Sequence, residues 1–288
     1  MKREAFRFLE RLRVRWAEID AQKIVFNGHY LMYFDTAISG YWRTMAVPLT
    51  QTMEHLGGDM FVRKATLQYE ASAVYDDVLH VGMRCTRIGN SSLIFNGAAF
   101  RQEKLLVSCE LVYVFADPAT QTSRPVPAAL RDALQAFEAG QDMLEIKVDR
   151  WDRLREDAAP LRRAVFVEEQ GIAAELESDE ADANATHAVA YNRFGMPLAT
   201  GRWVQHEPGV AKIGRMAVMP GMRSTGIGRR LLEALIQSAS HAGHARVMLH
   251  AQASAVDFYR RAGFEAQGEP FVEAGIQHLE MLRLATPT

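Results

Sequence analysis

The sequence predicts two domains of different fold class: an α+β domain built on an antiparallel sheet, then a mixed α/β domain. The chain has 288 residues, about the length of two average domains. A short helix, predicted at 128–139, ends at Gly140, and a new strand-like stretch begins at 143. One long helix and a run of strands precede this point, whereas strands and helices alternate after it. The predicted domains are therefore residues 1–140 and 141–288, with the boundary within 140–143.

Composition excludes several classes of protein. Hydrophobic residues make up 48% and charged residues 24%, as in globular domains. The chain has 33 Lys and Arg against 35 Asp and Glu, which lacks the excess positive charge typical of nucleic-acid binding. The sequence contains no apolar run of about 18 residues, so we expect no membrane-spanning helix. The N-terminal stretch is charged and lacks the apolar core of a signal peptide. Cys85 and Cys109 lack metal or redox spacing, so we expect reduced core thiols in a cytoplasmic protein.

The first domain reads as a strand, a helix and four further strands. Leu12, Val14 and Trp16 alternate with charged or small residues, which predicts a half-buried first strand. Apolar residues spaced by three and four predict a helix over 29–45; they are Tyr30, Phe34, Ala37, Tyr41 and Met45. Strands are predicted at 61–71, 78–88, 93–101 and 104–115.

The second domain begins with a strand over 143–148 and a helix over 162–169, with Pro160 at its start. Strands are predicted at 185–191, 198–205 and 211–218, followed by a glycine-rich turn and a helix at 227–240. A strand at 246–250, a helix at 253–261 and a last strand at 275–284 complete the pattern. This alternation predicts a mixed α/β domain.

Asp20 is the principal candidate for chemistry in the first domain. It stands at the predicted end of a strand, shortly before a helix that starts at Asn27 or Gly28. Free N–H groups at a helix start can polarise a thioester carbonyl, and a carboxylate can attack it or activate a water. The same pattern also fits a surface carboxylate that caps a turn.

The glycine-rich turn at 222–230 is the principal candidate for ligand binding in the second domain. Gly226 and Gly228 let the backbone approach a phosphate closely at a helix start. Arg223, Arg229 and Arg230 add positive charge. The spacing differs from that of nucleotide-binding P-loops and Rossmann turns. The pattern therefore predicts either a turn that binds a pyrophosphate or a tight turn that needs glycine only for its backbone conformation.

Residues 13–34 and the segment 87–95 resemble the hotdog-fold acyl-CoA thioesterases of the 4-hydroxybenzoyl-CoA thioesterase type, over about 8–135. The resemblance implies that Asp20 is the catalytic carboxylate and that the sheet wraps a central helix. It also implies a homodimer or homotetramer with acyl-CoA between protomers. Asn27 and His29 are secondary candidates. Lys23 stands where the family usually has glycine, and Phe26 and Asn27 where it often has tyrosine or histidine; these departures would alter the acyl pocket or weaken activity.

The turn at 223–228 matches the Arg/Gln-x-x-Gly-x-Gly/Ala signature of the GNAT N-acetyltransferases, and AVDFYRRAGF at 255–264 resembles their second hallmark. The resemblance covers about 143–284. It implies acetyl-CoA, with the pantetheine arm along Met216, Ala217 and Val218, and Tyr259 as the acid that protonates the departing thiolate. It also implies a pyrophosphate site formed by Arg223, Ser224, Thr225, Gly226, Ile227, Gly228 and Arg229.

The general base of the acetyl transfer stays open among several residues. FVEEQG at 166–171 resembles a segment of one GNAT branch, which makes Glu168 or Glu169 candidates, and we favour Glu169. His250 and His278 on predicted strands are alternatives. The acidic stretch 175–182 either attracts a cationic amine or is a solvated loop.

The sequence thus predicts a bifunctional enzyme that hydrolyses acyl-CoA in one domain and acetylates a primary amine in the other. Acyl-CoA and acetyl-CoA are expected as substrates, with no metal or prosthetic group and no nucleic-acid or membrane partner. A first alternative is an acetyltransferase whose hotdog domain only dimerises the chain. A second is a non-catalytic acyl-CoA sensor or scaffold.

Overall fold

A computed structural model describes residues 1–177 and 179–285. The chain divides into two compact units, the first ending at Met143 and the second beginning at Leu144. Each unit has its own sheet. Among the described residues, no helix is both long and apolar enough to cross a membrane.

The first unit is one antiparallel sheet with a long helix on it. Its strands are β1 (Phe8–Arg13), β2 (Asp59–Tyr69), β3 (Val78–Ile88), β4 (Ser92–Arg101) and β5 (Lys104–Ala116), and its helices are α1 (His29–Thr44), α2 (Leu49–His55) and α3 (Ala128–Glu138). The sheet order is β1-β3-β4-β5-β2. An antiparallel sheet with α1 as its central helix is the hotdog fold, so the predicted fold class is confirmed for this unit.

Helix α1 is held by the apolar stripe read from the sequence. All five residues of that stripe are buried, and Tyr33 and Trp42 widen the buried face. Gly97 lets the sheet approach the helix, because a Cβ there would lie 2.6 Å from the Cys109 Sγ and 2.8 Å from the Phe34 ring. The predicted helix is therefore confirmed, with its end one residue earlier.

The first strand is shorter than the alternation predicts. β1 ends at Arg13, and a short 3₁₀ turn begins at Trp16. Three-quarters of the surface of Trp16 is exposed. The Glu18 carboxylate accepts the backbone N–H and the Nε–H of Arg15, and the Glu18 N–H donates to the Arg15 carbonyl, so this turn interrupts the strand. Asp20 therefore follows a turn, and its expected place at a strand end is wrong. Helix α2 was not predicted.

The second unit carries a mixed sheet of seven strands. Its strands are β6 (Leu144–Arg150), β7 (Thr186–Asn192), β8 (Pro197–Glu207), β9 (Val210–Val218), β10 (Arg246–Gln252), β11 (Glu265–Glu273) and β12 (Ile276–Leu284). Its helices are α4 (Trp151–Arg162), α5 (Ala174–Glu177), α6 (Ile227–His241) and α7 (Val256–Arg261). The order is β11-β12-β10-β9-β8-β7-β6, with β9 and β10 parallel. The mixed α/β class is confirmed.

Two features of this unit differ from the secondary structure predicted from the sequence. The first helix begins at Trp151, so Pro160 lies inside α4 and not at a helix start. The helix then continues as a π-helix over Arg163–Glu169. Strand β11 was not predicted, because its mostly exposed residues show little apolar alternation.

Candidate functional site

A pocket of about 500 Å³ in the first unit contains Asp20. The loop before α1 forms one side of it and the end of β2, with the residues just after, forms the other. Its polar lining includes Asp20, Gln22, Asn27, Tyr69, Glu70 and Ser72. The structure therefore brings Asp20 and Asn27 to one cavity, whereas His29 does not line it.

The loop that carries Asp20 is a tight turn. The Asp20 carboxylate accepts the N–H of Gln22 at 2.8 Å and that of Ile24 at 3.4 Å. Lys23 adopts a φ of 63°, in the left-handed region. Glycine is the residue that takes this conformation without steric cost, which explains why it would be preferred at this position. Lys23 keeps the turn while introducing backbone strain.

Glu18 supports this loop, and sequence reasoning missed it. Its side chain is 3% exposed, and it accepts the Tyr33 hydroxyl at 2.6 Å and the Arg15 N–H at 2.7 Å. Burial alone would raise the pKa of Glu18, but the hydrogen bonds from Tyr33 and Arg15 outweigh it and hold the pKa below its ordinary value. The carboxylate is therefore ionised and ties the turn to α1. The available signal was weak, because Glu18 stands three residues after an arginine and not after the serine or threonine of a capping box.

Two backbone N–H groups at the start of α1 already bond to acceptors in the loop that precedes the helix. The His29 N–H donates to the Phe26 carbonyl at 2.9 Å, and the Gly28 N–H donates to the Asn27 side chain at 2.9 Å. The Asn27 carbonyl accepts the Tyr69 hydroxyl at 3.1 Å, which links the loop to β2. The His29 ring packs edge-on against Phe26. His29 thus supports the loop and lies outside the pocket.

Strand β2 forms an edge of the sheet and is exposed along most of its 11 residues. Phe61, Val62 and Tyr69 on this strand are exposed, as are Leu31 and Met32 on α1. A long apolar edge strand has unpaired backbone groups that another strand can cover.

In the second unit, β9 and β10 diverge and leave a cleft. They pair over only three residues of each strand, from Val210 to Lys212 and from Arg246 to Met248. Beyond this point a pocket of about 550 Å³ opens, lined by residues 213–216 of β9, by Leu249 and His250 of β10 and by Tyr259. On its other side β9 remains bonded to β8 through a bulge at Arg215, whose φ is 53°.

The glycine-rich turn follows β9 directly. Ser224 and Gly226 adopt φ values of 64° and 88°, and α6 starts at Ile227. A Cβ on Gly226 would meet nothing within 4 Å, so the turn faces open space and its φ is what favours glycine. A Cβ on Gly228 would lie 3.2 Å from Val218, so α6 starts tightly against the end of β9. The turn has the shape of an anion cradle.

Arg223, at the start of this turn, is paired with Glu169. Its two Nη atoms donate to the two carboxylate oxygens at 2.7 and 2.6 Å. Hydrogen bonding from Arg223 holds the pKa of Glu169 below its ordinary value. Glu169 does not line the cleft, and its neighbour Glu168 pairs with Arg163 at 3.4 Å. Neither carboxylate meets Tyr259 there.

Tyr259 lies on α7, and its ring makes edge contacts with those of Phe258 and Phe264. Burial raises the pKa of Tyr259 to about 12. The hydroxyl therefore stays protonated at neutral pH and can donate a hydrogen bond into the cleft.

His250 faces the same cleft from β10. Its Nδ1 lies 2.9 Å from a Glu273 oxygen and 3.3 Å from the Lys212 Nζ, and its Nε2 lies 3.8 Å from Glu280. Burial alone would raise the pKa of Glu273, but the hydrogen bond from His250 outweighs it and lowers the pKa. His278 also lines the cleft, and its Nδ1 lies 2.9 Å from the Ile276 carbonyl.

The acidic stretch 175–182 pairs with arginines of the same unit. Asp182, 3% exposed, accepts from Arg162 at 2.7 and 3.0 Å and from Arg202. Asp179 accepts from Arg202 at 2.6 Å and from Arg215 at 2.9 Å. The interpretation of this stretch as a solvated loop is therefore wrong for Asp182, whereas Asp179 is exposed as well as paired. Among the residues that the structure describes, no cluster of His, Cys, Asp and Glu could hold a metal ion.

Comparison with known proteins finds two family matches. Residues 154–284 match the acetyltransferase (GNAT) domain, and residues 22–108 match the thioesterase superfamily. The uncharacterized N-acetyltransferase YjcF of Bacillus subtilis is 38% identical over 128 residues, which cover 44% of this chain and 90% of that protein. A putative esterase of Aquifex aeolicus is 28% identical over 96 residues, which cover 33% of this chain and 74% of the other. A putative N-acetyltransferase structure from Lactobacillus plantarum covers 50% of this chain and 100% of its own, at 30% identity and a TM-score of 0.48.

Proposed function

Since the chain belongs to the GNAT acetyltransferases through its second unit and has a thioesterase-superfamily domain in its first, we propose that it is a bifunctional coenzyme A thioester enzyme. The domain at 1–140 hydrolyses acyl-CoA, and the domain at 141–288 transfers the acetyl group of acetyl-CoA to a primary amine. The single observation that carries the acetyl transfer is the cleft between β9 and β10, which has Tyr259 in its wall and the glycine-rich turn after β9.

Acetyl-CoA lies along this cleft in the proposed complex. Its pantetheine arm pairs with the backbone of Met216, Ala217 and Val218, which the divergence from β10 leaves open on one side. Its pyrophosphate binds the turn from Arg223 to Arg229, where Ser224, Thr225, Gly226, Ile227 and Gly228 present backbone N–H groups near a helix start.

The chemistry is attack of a neutral amine on the thioester carbon, followed by cleavage of the C–S bond. The amine proton passes to His250, which Glu273 orients across 2.9 Å. Tyr259, protonated because burial raises its pKa to about 12, donates a hydrogen bond to the departing thiolate. The thiolate then takes up the proton that His250 received from the amine, so the products are an amide and coenzyme A in its thiol form.

Mass spectrometry of N-acetyl products, with acetyl-CoA and a panel of primary amines, tests this reaction. Tyr259→Phe and His250→Asn should each lower the product rate by about 100-fold, the usual contribution of a positioned acid or base. His206→Asn, at an exposed position on β8, is the matched control. If the wild-type protein forms no amide from any amine, the transferase is refuted, and a sensor role is favoured where coenzyme A still binds.

Hydrolysis in the first unit is supported by Asp20 in its pocket, near the start of α1. Asp20 takes a proton from a water that attacks the acyl carbon, the C–S bond breaks, and the departing thiolate takes up that proton, which leaves a carboxylic acid and coenzyme A. Asn27 lies beside Asp20 in the same cavity, and His29 supports the loop. Thiol release from acyl-CoA without any amine measures this step. Asp20→Asn should reduce it by about 100-fold or more, whereas Asp76→Asn, an exposed aspartate outside the pocket, should not. If the wild-type protein releases no thiol, the hotdog domain is silent.

Pairing of β2 with its copy in a second protomer is the oligomer that we propose. The support is the exposed apolar edge, with Phe61 and Val62 on it. Val62→Lys should shift the chain toward monomer in sedimentation velocity, and Val148→Lys, at an exposed position in the second unit, should not. An unchanged sedimentation coefficient in Val62→Lys would remove this edge as the interface.

A further inference from the structure

The pair formed by Arg223 and Glu169 gives Glu169 a role other than the base expected from the sequence. Both carboxylate oxygens accept from Arg223, at 2.7 and 2.6 Å. A base must have a lone pair that faces the amine and a sufficient proton affinity. Glu169 lies outside the cleft, and Arg223 holds its pKa low. Glu169 therefore acts on Arg223 and not on the amine.

Arg223 is fixed at two points. Its Nε donates to the Val218 carbonyl at 3.3 Å, at the end of β9, and its two Nη atoms donate to Glu169, at the end of the π-helix. A guanidinium has five N–H groups, and these contacts use three of them. The other two remain for a further acceptor beside the glycine-rich turn.

We infer that Glu169 is a positioning residue for the coenzyme: it holds the Arg223 guanidinium between β9 and the π-helix, with N–H groups left to bind the pyrophosphate. This inference rests on the proposed binding of acetyl-CoA in the second unit. A long arginine side chain loses rotamer freedom when it binds a ligand, and a partner that orders it beforehand removes that cost. The pair is about two-fifths exposed on each side, so its contribution to folding stability is small.

The inference predicts an effect opposite to simple electrostatics. Glu169→Gln removes a negative charge close to a polyanion, which by charge alone should tighten coenzyme binding. Loss of positioning should instead weaken binding by about three- to tenfold, the cost of ordering one long side chain. Glu168→Gln removes the same charge one residue earlier and is the matched control, because Glu168 pairs with Arg163.

Isothermal titration of the full chain with coenzyme A and with S-acetylpantetheine, which lacks the pyrophosphate, tests the inference. Gly226→Val strains a backbone φ of 88° and should disable the site in the second unit. The part of the binding heat that disappears in this variant therefore belongs to that site. Glu169→Gln should weaken coenzyme A but not S-acetylpantetheine. Arg223→Met should weaken coenzyme A about tenfold, and adding Glu169→Gln to it should change nothing further.

Each contrary result has a separate meaning. Tighter coenzyme A binding in Glu169→Gln, equal weakening of both probes, or the same effect in the Arg223→Met background overturns the positioning role. Absence of coenzyme A binding to the second unit of the wild-type protein overturns the proposed acetyltransferase itself.

Discussion

Asp182→Asn is expected to destabilise the second unit by about 3 kcal/mol. Asp182 is 3% exposed and accepts three hydrogen bonds from two arginines, of which Arg162 is itself 1% exposed. Asparagine keeps one acceptor oxygen but turns an N–H group toward a guanidinium. One charge-assisted bond, worth about 1.5–3 kcal/mol, is lost and the other two are weakened. This sum agrees with the range of about 3–5 kcal/mol for breaking a buried ion pair.

Hydrogen exchange measured by mass spectrometry along a urea titration can assign this loss to one unit. Peptides from 186–218 report on the second unit, and peptides from 78–116 report on the first. The urea midpoint of the second unit should fall by about 1–2 M, and that of the first should not move. Glu180→Gln, an exposed carboxylate two residues earlier, is the control. Equal midpoints for Asp182→Asn and Glu180→Gln would refute the reasoning.

The stability difference should also depend on pH. Burial alone would raise the pKa of Asp182, but hydrogen bonds and charges from Arg162 and Arg202 outweigh it and hold the pKa below its ordinary value. A lowered folded-state pKa contributes stability that is present above the unfolded pKa, near 4, and is lost as pH falls through the folded pKa. The difference between wild type and Asp182→Asn should therefore be full at pH 6 and shrink below about pH 4.

Three further changes test the first unit. Gly97→Ala should lower its stability by about 1–3 kcal/mol in urea titration, because a Cβ there would lie 2.6 Å from the Cys109 sulfur; an unchanged midpoint would contradict the close approach. Lys23→Gly should raise stability by up to about 1 kcal/mol, since it relieves a left-handed φ of 63°, and Lys23→Ala should not. Glu18→Gln should cost about 3 kcal/mol and slow thiol release by loosening the Asp20 loop; full thiol release at unchanged stability would remove Glu18 as its support.

Part of the candidate site could be predicted from the sequence and part could not. The glycine-rich turn, its strand and the helix after it are contiguous, so local geometry alone placed them together. Asp20 was found for the same reason, although its expected strand end was wrong. Glu18, one of its supports, was missed because its partner Tyr33 lies one helix turn inside α1. Glu169 pairs with Arg223, 54 residues away, and no local sequence pattern indicates that pairing.

The sequence by itself determined the two fold classes and the central helix. The 3.6-residue period of a helix and the two-residue period of a strand are local properties of the sequence. The spacing of the apolar residues in α1 therefore determines which face is buried, whatever that face packs against. Only the tertiary structure decided which charged groups meet. The acidic stretch pairs with Arg162, Arg202 and Arg215, and His250 meets Glu273, because the sheet order and the hairpin of β11 and β12 bring distant segments together. An ion pair is a through-space interaction that falls off with distance, so its partners follow from packing and not from spacing along the chain.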